Sequence, residues 1–447
     1  MRGASPQRAV TSKQQRQRLK APEQRAQVER DSEITIYGVR ARVTWSRFVA
    51  PNRASSRLIA AHRGSDMCNS SPRTPQDPIG ENQTMKLKFP RIPTQPQLTR
   101  TILEQFVKIG VIRVMKFLII RFSSIGDIVL TTPVIRCLKK QMSDAEVHFL
   151  TKESFHSIVE HNPYIDKVHL LAHSWDLMVH ELKLEEYDHI IDLHHNVRTL
   201  RLKKALDKPS HSFNKLNIQK YIYVNLKWNA MHGVHIVDRY LKTVESFGVT
   251  NDGAGLDYFI SAKEETKKQD IPASHHAGYI GIVIGAAHNT KKYPVHKLKE
   301  ICKQLDHPII LLGGKEDKEN ANEIASVDAV KVYNACGKFS INESADLVKK
   351  SKLVVSNDTG LMHIAAAYKR PVISLWGNTV PSFGMYPYYG ENFLSAQKKQ
   401  PSDIFQVNKL KCRPCSKIGY DKCPRGHFKC MENIEVGEVL KAIHARL

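Results

Sequence analysis

The sequence predicts an α/β protein with two doubly wound, Rossmann-like halves that face a cleft. Three observations support this class. From residue 115 onward, short apolar runs of strand length alternate with helical stretches, which is the pattern of βαβ units and a parallel sheet. The alternation restarts near Tyr279, which indicates a second half. The amphipathic segment 434–447 predicts a C-terminal helix after that half.

Length and composition agree with a globular protein. The 447 residues suggest two or three domains, and 41% apolar with 25% charged residues is ordinary usage. No run of about 18 uninterrupted apolar residues occurs, so we predict no transmembrane helix. The net charge of +23 is typical of proteins that bind an anionic partner, but it is unevenly distributed.

Residues 1–114 differ from the remainder in composition. They carry 21 Lys and Arg against 8 Asp and Glu, and 16 of those 21 are Arg. Such a segment buries too little apolar surface to fold, so we predict a disordered basic extension. Three interpretations are open: a nucleic-acid-binding tail, a disordered tail with another role, or a mis-assigned translation start with Met115 as the first residue. We favour the third.

The first half is predicted to span residues 115–265. Its first apolar run, 116–122, is a strand, and the polar turn Ser123-Ser-Ile-Gly-Asp127 follows it. A helix is predicted over residues 128–142. Further strands are predicted over 147–150, 168–171 and 189–193.

The second half is predicted to span residues 277–447, after a polar linker at 261–276. Because their apolar runs are nearly continuous, its strands are expected to be buried on both faces. Strands are predicted over 279–284, 308–312, 352–356 and 371–376, with a helix from Pro294 to Leu305.

Two strand-to-helix turns are candidates for ligand binding. The turn before Asp127 has small residues that allow a close backbone approach, although an ordinary βα turn would look the same. The loop Gly285-Ala-Ala-His-Asn-Thr-Lys-Lys-Tyr-Pro294 presents a hydroxyl and two cations to a phosphate; read by itself, it also fits a solvated basic loop.

Two further motifs follow strands of the second half. In Asp358-Thr-Gly-Leu-Met-His363, a strand leads into a helix whose N-terminus Gly360 leaves uncovered, as a diphosphate requires. Gly313-Gly-Lys-Glu-Asp317 places carboxylates at a strand end, where nucleotide folds bind ribose hydroxyls.

Together these motifs resemble one enzyme family. Gly126-Asp127, Lys291-x-Tyr-Pro, Gly-Gly-x-Glu316 and Asp358-Thr-Gly-x-x-His-x-x-Ala-Ala occur in an order similar to that of the family 9 glycosyltransferases, the ADP-heptose:lipopolysaccharide heptosyltransferases. The resemblance covers residues 115–447 and includes Asp192-Leu-His-His-Asn-Val-Arg198 and the Cys-rich C-terminal segment. It implies a GT-B fold and an inverting sugar transfer that requires no metal.

The resemblance also implies roles for individual residues. Asp127 would be the general base that takes the proton from the acceptor hydroxyl, and Lys291 would contact the departing phosphate. The remaining positions divide between the two substrates. The donor side would comprise Thr290, Glu316, Asp358, Thr359, Gly360 and His363, and the acceptor side Ser124, Gly126, Asn196 and Arg198. No residue is assigned to a metal.

The implied substrates are ADP-heptose and a lipid-linked glycan acceptor, the lipopolysaccharide inner core. The enzyme is therefore expected in the cytoplasm, as a monomer in peripheral contact with the inner membrane. Two alternatives stay open: a related transferase with another nucleotide sugar or glycan acceptor, and a nucleic-acid-binding protein that uses its basic tail. The second predicts salt-sensitive DNA or RNA binding that is lost with residues 1–114.

Seven of the eight cysteines fall into two groups, and the eighth, Cys68, lies in the basic extension. Cys137, Cys302 and Cys336 lie in predicted α/β elements, where we expect small buried side chains. A cluster with zinc-like spacing at its first pair, and with His427 nearby, is formed by Cys412, Cys415, Cys423 and Cys430. A structural zinc is one interpretation; we favour reduced thiols that order a loop near the cleft.

Overall fold

The computed structural model describes residues 32–36, 39–43, 114–172 and 174–447. The chain divides into two units, residues 1–92 and residues 93–447. In the first unit, strands β1 (Ser32–Ile36) and β2 (Val39–Val43) pair in antiparallel fashion. The predictions for the other residues of 1–114, including Cys68, lie outside the described residues.

The first half of the second unit is built on a five-stranded parallel sheet. Its spatial order is β5-β4-β3-β6-β7, so the first strand, β3, lies in the middle. The strands are β3 (Met115–Ile120), β4 (Ala145–Thr151), β5 (Lys167–Leu170), β6 (His189–Asp192) and β7 (Ser210–Ser212).

Helices connect these strands and lead towards the second half. They are α1 (Ile125–Val129), α2 (Thr132–Gln141), α3 (Trp175–Leu184), α4 (Val197–Leu206), α5 (Asn217–Leu226) and α6 (Ile236–Leu241). Short 3-10 turns cover Glu153–Ile158 and Glu245–Phe247.

The second half has a six-stranded parallel sheet in the order β10-β9-β8-β11-β12-β13. Its first strand again lies in the interior of the sheet. The strands are β8 (Ile280–Val283), β9 (Ile309–Leu312), β10 (Val332–Asn334), β11 (Leu353–Asn357), β12 (Val372–Trp376) and β13 (Ser402–Gln406).

The helices of this half are α7 (Val295–Gln304), α8 (Lys318–Ala325), α9 (Ile341–Lys350), α10 (Gly360–Ala367), α11 (Glu391–Ser395), α12 (Lys429–Glu432) and α13 (Val436–His444). The predicted C-terminal helix is thus α13, and its Val439, Leu440 and Ile443 are buried against the second sheet.

Strand β3 is almost entirely apolar because both of its faces are buried. In β3, Phe117 and Ile119 enter a large core that continues into the second half, whereas Leu118 and Ile120 enter a smaller core beneath α3 and α4. The large core is therefore shared by the two halves.

The prediction of a single helix over 128–142 is wrong. The segment forms two helices, because Pro133 provides no N–H for a continuing ladder and the chain turns at Leu130 and Thr131. The first of them begins earlier than predicted, at Ile125, since Ser124 and Asp127 form a capping box.

The segment predicted as a polar linker is packed against the second half. Thr266 is buried, and both its N–H and its hydroxyl donate to the Asp346 carboxylate at 2.8 and 2.6 Å. His275 is also buried, with Nε2 3.1 Å from the Ile309 carbonyl oxygen. Buried partners that are distant in sequence satisfy these polar groups, so composition alone does not reveal the packing.

No helix within the described parts of the chain is both long and apolar enough to span a lipid bilayer.

Candidate active site

The two sheet topologies determine where ligands can bind. In each sheet the strand order reverses beside the first strand, between β3 and β6 and between β8 and β11. The loops that leave the carboxyl ends of neighbouring strands diverge there and open a crevice. Those loops contain the motifs singled out in the sequence.

A cavity of about 810 Å³ lies between the two halves at these crevices. It brings together nine of the twelve predicted site residues from four segments, each of which follows a parallel strand. They are Ser124, Gly126, Asp127, Lys291, Glu316, Asp358, Thr359, Gly360 and His363.

Asp127 lies in the first turn of α1, with 19% of its side chain exposed to the cavity. Its Oδ1 is 2.8 Å from Nη2 of Arg121, and its Oδ2 accepts a hydrogen bond of 2.8 Å from the Ser124 hydroxyl. Burial favours a higher pKa, but the Arg121 charge and the Ser124 hydrogen bonds outweigh it, so the pKa of Asp127 is lowered. The carboxylate is therefore ionised at neutral pH.

Arg121 is a site residue that sequence reasoning missed. It lies just after β3, is buried, and donates to the carbonyl oxygen of Ser123 at 2.7 Å and to the Tyr240 hydroxyl at 3.0 Å. These contacts fix the guanidinium beside Asp127. The available signal was a charged residue within the apolar strand run 116–122.

Two glycines allow the halves to touch at the site. A Cβ on Gly126 would lie 2.6 Å from Cδ2 of His363, and a Cβ on Gly360 would lie 2.6 Å from Cγ2 of Ile125. The starts of α1 and α10 therefore pack directly against each other. Close approach across the cleft accounts for glycine at both positions.

The start of α10 is suited to bind an anion. Thr359 is its N-cap residue in an extended conformation, and no side chain caps this helix. The first N–H groups therefore face the cavity together with the positive end of the helix dipole. Buried in the first turn, His363 has a pKa lowered by burial to about 4, so its imidazole is neutral.

Lys291 is held beside this helix by Asp358. Its Nζ is 2.6 Å from Oδ2 of Asp358, which also accepts a hydrogen bond of 2.9 Å from the Thr379 hydroxyl. Asp127, Asp358 and Lys291 all act electrostatically on His363, so the four groups form one cluster.

Three predicted residues are not brought to the cavity. Thr290 is buried, and its hydroxyl donates to the Tyr420 carbonyl oxygen at 2.9 Å and accepts from the Tyr420 N–H at 2.8 Å. Asn196 caps α4 by accepting from the Thr199 N–H at 2.9 Å, and Arg198 is exposed on the same helix. Asn196 and Thr290 are therefore placed as structural contacts, and none of the three lines the cavity.

A basic wall, consisting of Lys215, Lys220 and Lys417, lines the cavity and was missed in the sequence. Burial, followed by the charges of Arg239 and neighbouring lysines, lowers the pKa of Lys220 to about 8. Burial and nearby Arg121 likewise lower the pKa of Lys215. These lysines are far apart in sequence and no motif connects them.

The Cys-rich segment borders the same cavity. Lys417 and Ile418 line it, and Arg413 donates to the Thr379 carbonyl oxygen at 2.7 Å. The Cys412 Sγ lies 3.7 Å from Nε2 of His427. Within the described chain, no three ligand atoms of Cys412, Cys415, Cys423, Cys430 and His427 lie within 4.8 Å of one another. The three isolated thiols, Cys137, Cys302 and Cys336, are buried as expected.

A comparison with family models decides the class of protein. The model of glycosyltransferase family 9 (heptosyltransferase) matches residues 175–411, more than half of the chain. The chain belongs to glycosyltransferase family 9. It is therefore a glycosyltransferase, as the sequence motifs predicted.

Individual relatives agree with this assignment. Lipopolysaccharide heptosyltransferase 1 of Campylobacter coli is 27% identical over 293 residues, which are 60% of this chain and 85% of that protein. A family 9 glycosyltransferase structure from Veillonella parvula superposes with a TM-score of 0.59 at 21% identity, over 74% of this chain and 96% of the other. The Escherichia coli heptosyltransferase WaaC solved with ADP gives a TM-score of 0.54 at 21% identity, over 74% and 100%. The GT-B fold is thereby confirmed.

Proposed function

We propose that this glycosyltransferase transfers a heptose from ADP-heptose to a lipopolysaccharide inner-core acceptor, with inversion and without a metal ion. One observation carries the proposal. An ionised carboxylate, Asp127, lies on one side of the cleft, and an uncapped helix start with Lys291 lies on the other, with Gly126 and Gly360 in contact between them. A base and an anion site thus face the same cavity.

Asp127 acts as the general base. As the acceptor oxygen attacks the anomeric carbon, a carbon–oxygen bond forms, the bond from that carbon to the diphosphate breaks, and the hydroxyl proton passes to Asp127. The lowered pKa keeps the carboxylate ready to accept a proton throughout the neutral range. Arg121 holds it in one orientation, which favours attack from a single direction.

The helix start and Lys291 stabilise the departing nucleoside diphosphate. The N–H groups at the beginning of α10 bind phosphate oxygens, and the Lys291 ammonium neutralises the negative charge that develops. In the free protein Asp358 holds that ammonium, so donor binding replaces a carboxylate partner with a phosphate partner. Preorganised donors of this kind perform the role that a divalent cation has in other transferases.

The ribose of the donor is assigned to Glu316. This residue lies in the 3-10 turn Lys315–Asp317 directly after β9, and it lines the cavity at the end of a parallel strand. Neighbouring Asp317 is buried and bound to Lys292 at 2.7 Å, which fixes the turn. A carboxylate at this place can accept hydrogen bonds from ribose hydroxyls.

The acceptor side is assigned to the basic wall. The charge of Lys417 lowers the pKa of both Lys215 and Lys220, and Lys215 also lowers that of Lys220, so an anionic ligand would relieve this repulsion. A glycan that carries carboxylates or phosphates fits this wall, whereas a neutral one does not. A lipid-linked acceptor also requires the enzyme to approach a membrane surface, for which we propose the cytoplasmic face of the inner membrane.

A donor panel tests the proposal. The purified full chain is mixed with ADP-heptose, UDP-glucose and GDP-mannose, and binding is measured by calorimetry with and without EDTA. ADP-heptose is expected to bind most tightly, and EDTA is expected to leave its affinity and its transfer to an inner-core acceptor unchanged. Preference for another nucleotide sugar would contradict the donor assignment, and a loss of transfer in EDTA that added Mg²⁺ or Mn²⁺ restores would contradict the metal-independent mechanism.

A further inference from the structure

A cluster of histidine and carboxylate side chains lies in the first half and lines no part of the active-site cavity. His148 comes from β4, His169 from β5, and Glu185 from the loop that precedes β6. One ring nitrogen of each histidine and one carboxylate oxygen of Glu185 lie within 4.8 Å of one another. His148 is fully buried, and both His169 and Glu185 are largely so.

The orientation of His148 is fixed by a second carboxylate. Its Nε2 lies 2.8 Å from Oε1 of Glu146, so the ring donates its proton there. The other nitrogen, Nδ1, then carries a lone pair that is directed at the centre of the cluster. Histidines that bind metals are typically oriented by a carboxylate in this way.

The two ring nitrogens are spaced like ligands of one ion. Nδ1 of His148 and Nε2 of His169 are 3.2 Å apart. Two nitrogens at roughly 2.0–2.1 Å from a tetrahedral zinc are about 3.3 Å apart. Each of these nitrogens is also 3.9 Å from an oxygen of Glu185, a distance that a small side-chain movement shortens.

The charges around the cluster both favour and oppose a bound cation. Glu185 is ionised, but Lys116 and Lys167 both pair with it. Both cations repel a bound metal ion, so the removal of one of them should raise the affinity for the metal.

We propose that His148, His169 and Glu185 bind one divalent transition-metal ion of the zinc class, with the Tyr187 hydroxyl at the fourth position. That hydroxyl lies 2.8 Å from Nδ1 of His148 and 3.0 Å from Nε2 of His169. Two imidazoles and one carboxylate are a common ligand set for zinc. The ion would join β4 and β5 to the loop before β6, so its role is structural.

The test measures metal content and binding on the full chain, and neither readout requires donor or acceptor. The purified protein is stripped with a chelator, dialysed and titrated with Co²⁺. One Co²⁺ per chain is expected, with visible d–d bands of a tetrahedral site and without a thiolate charge-transfer band. That band would instead place the ion at Cys412–Cys430, and it would overturn the proposal.

Substitutions around the cluster are expected to change the Co²⁺ affinity in opposite directions. His169→Gln should abolish the Co²⁺ spectrum, and Glu146→Gln should weaken binding about 10-fold or more by releasing the orientation of His148. Lys167→Gln should tighten binding, because it removes an exposed cation that competes for Glu185. His180→Gln, at an exposed histidine on α3, is the control and should change nothing.

Because His169→Gln replaces a largely buried side chain, the circular dichroism of this variant is compared with that of the parent protein. Should the His169 variant unfold, the Glu146 and Lys167 variants still decide the test. A Co²⁺ affinity that neither of them alters, or the lack of a stoichiometric ion in the parent protein, would overturn the proposal. Either result would mean that hydrogen bonds through Tyr187 hold this cluster together.

Discussion

At the scale of single residues, Asp127 shows how burial and charge oppose each other in this cleft. Removal from water disfavours a carboxylate, yet Arg121 and Ser124 lower its pKa below the ordinary aspartate value. Asp127 itself followed from the sequence, because the Gly-Asp turn after the first strand is a local motif. Arg121 did not, since its partners Asp127 and Tyr240 meet it only in the folded chain.

The first prediction concerns the pH dependence of Asp127. Because the pKa of this carboxyl is lowered, loss of kcat/KM on the acid side should occur below the ordinary aspartate range. Arg121→Gln removes the charge that lowers the pKa and leaves burial, which raises it, so the acid limb should move to higher pH. The measurement is kcat/KM against pH, with circular dichroism at each pH.

Arg201→Gln is the matched control, since Arg201 stacks over Trp175 and lines no part of the cavity. If both variants kept the parent profile, Asp127 would not be the group that titrates on the acid side.

At the scale of elements, the site depends on the beginnings of two helices that touch. The sequence located both turns but predicted the helix after β3 as one piece from residue 128. The capping box at Ser124 begins it earlier, and Pro133 divides it. The short edge strands β7, β10 and β13 were not predicted either, because segments of three to five partly exposed residues carry little periodicity.

The second prediction tests the contact of these two helix starts. Gly360→Ala would place a Cβ 2.6 Å from Cγ2 of Ile125 and so displace α10 from α1. A shift of about 1 Å in an active site can cost roughly 100-fold, so a fall in kcat/KM of that order is expected. The backbone of α10 accepts alanine, so helix propensity does not cause the loss.

Gly437→Ala provides the matched control in α13, where an added Cβ meets nothing within 4 Å. It should leave kcat/KM unchanged and raise stability by up to about 1 kcal/mol. Equal effects of the two alanines on turnover would contradict the proposed contact.

At the scale of the whole molecule, the fold class was largely predictable and the walls of the cavity were not. The restart of the strand pattern near Tyr279 indicated two parallel sheets, which the structure contains. The basic wall combines residues 215, 220 and 417, which no local pattern connects. Apolar side chains are also exposed beside that wall: Ile218, Tyr221 and Leu226 on α5, and Trp228 after it.

The third prediction concerns this apolar surface. Residues 115–447 carry a net charge of +10, and α5 with the segment directly after it exposes several large apolar side chains, which suits an interface with anionic lipid. The double substitution Ile218→Ser and Trp228→Ser should weaken binding to vesicles containing phosphatidylglycerol by about 10-fold or more, since burial of one large apolar side chain contributes on the order of 1.5–3 kcal/mol.

Leu184→Ser is the control, because Leu184 is as exposed as Trp228 but lies on α3. Vesicle co-sedimentation provides the measurement. A reduction equal to that of the control would contradict a membrane contact through α5.

The most direct test of the proposed mechanism is the turnover of Asp127→Asn. Asparagine keeps the shape of the side chain and can still accept the Ser124 hydrogen bonds, but it cannot take a proton. With Asp144→Asn in an exposed turn as the control, kcat for heptose transfer should fall roughly 10²–10⁴-fold, while the calorimetric Kd for the donor stays unchanged. Turnover close to that of the parent enzyme would show that Asp127 is not the base.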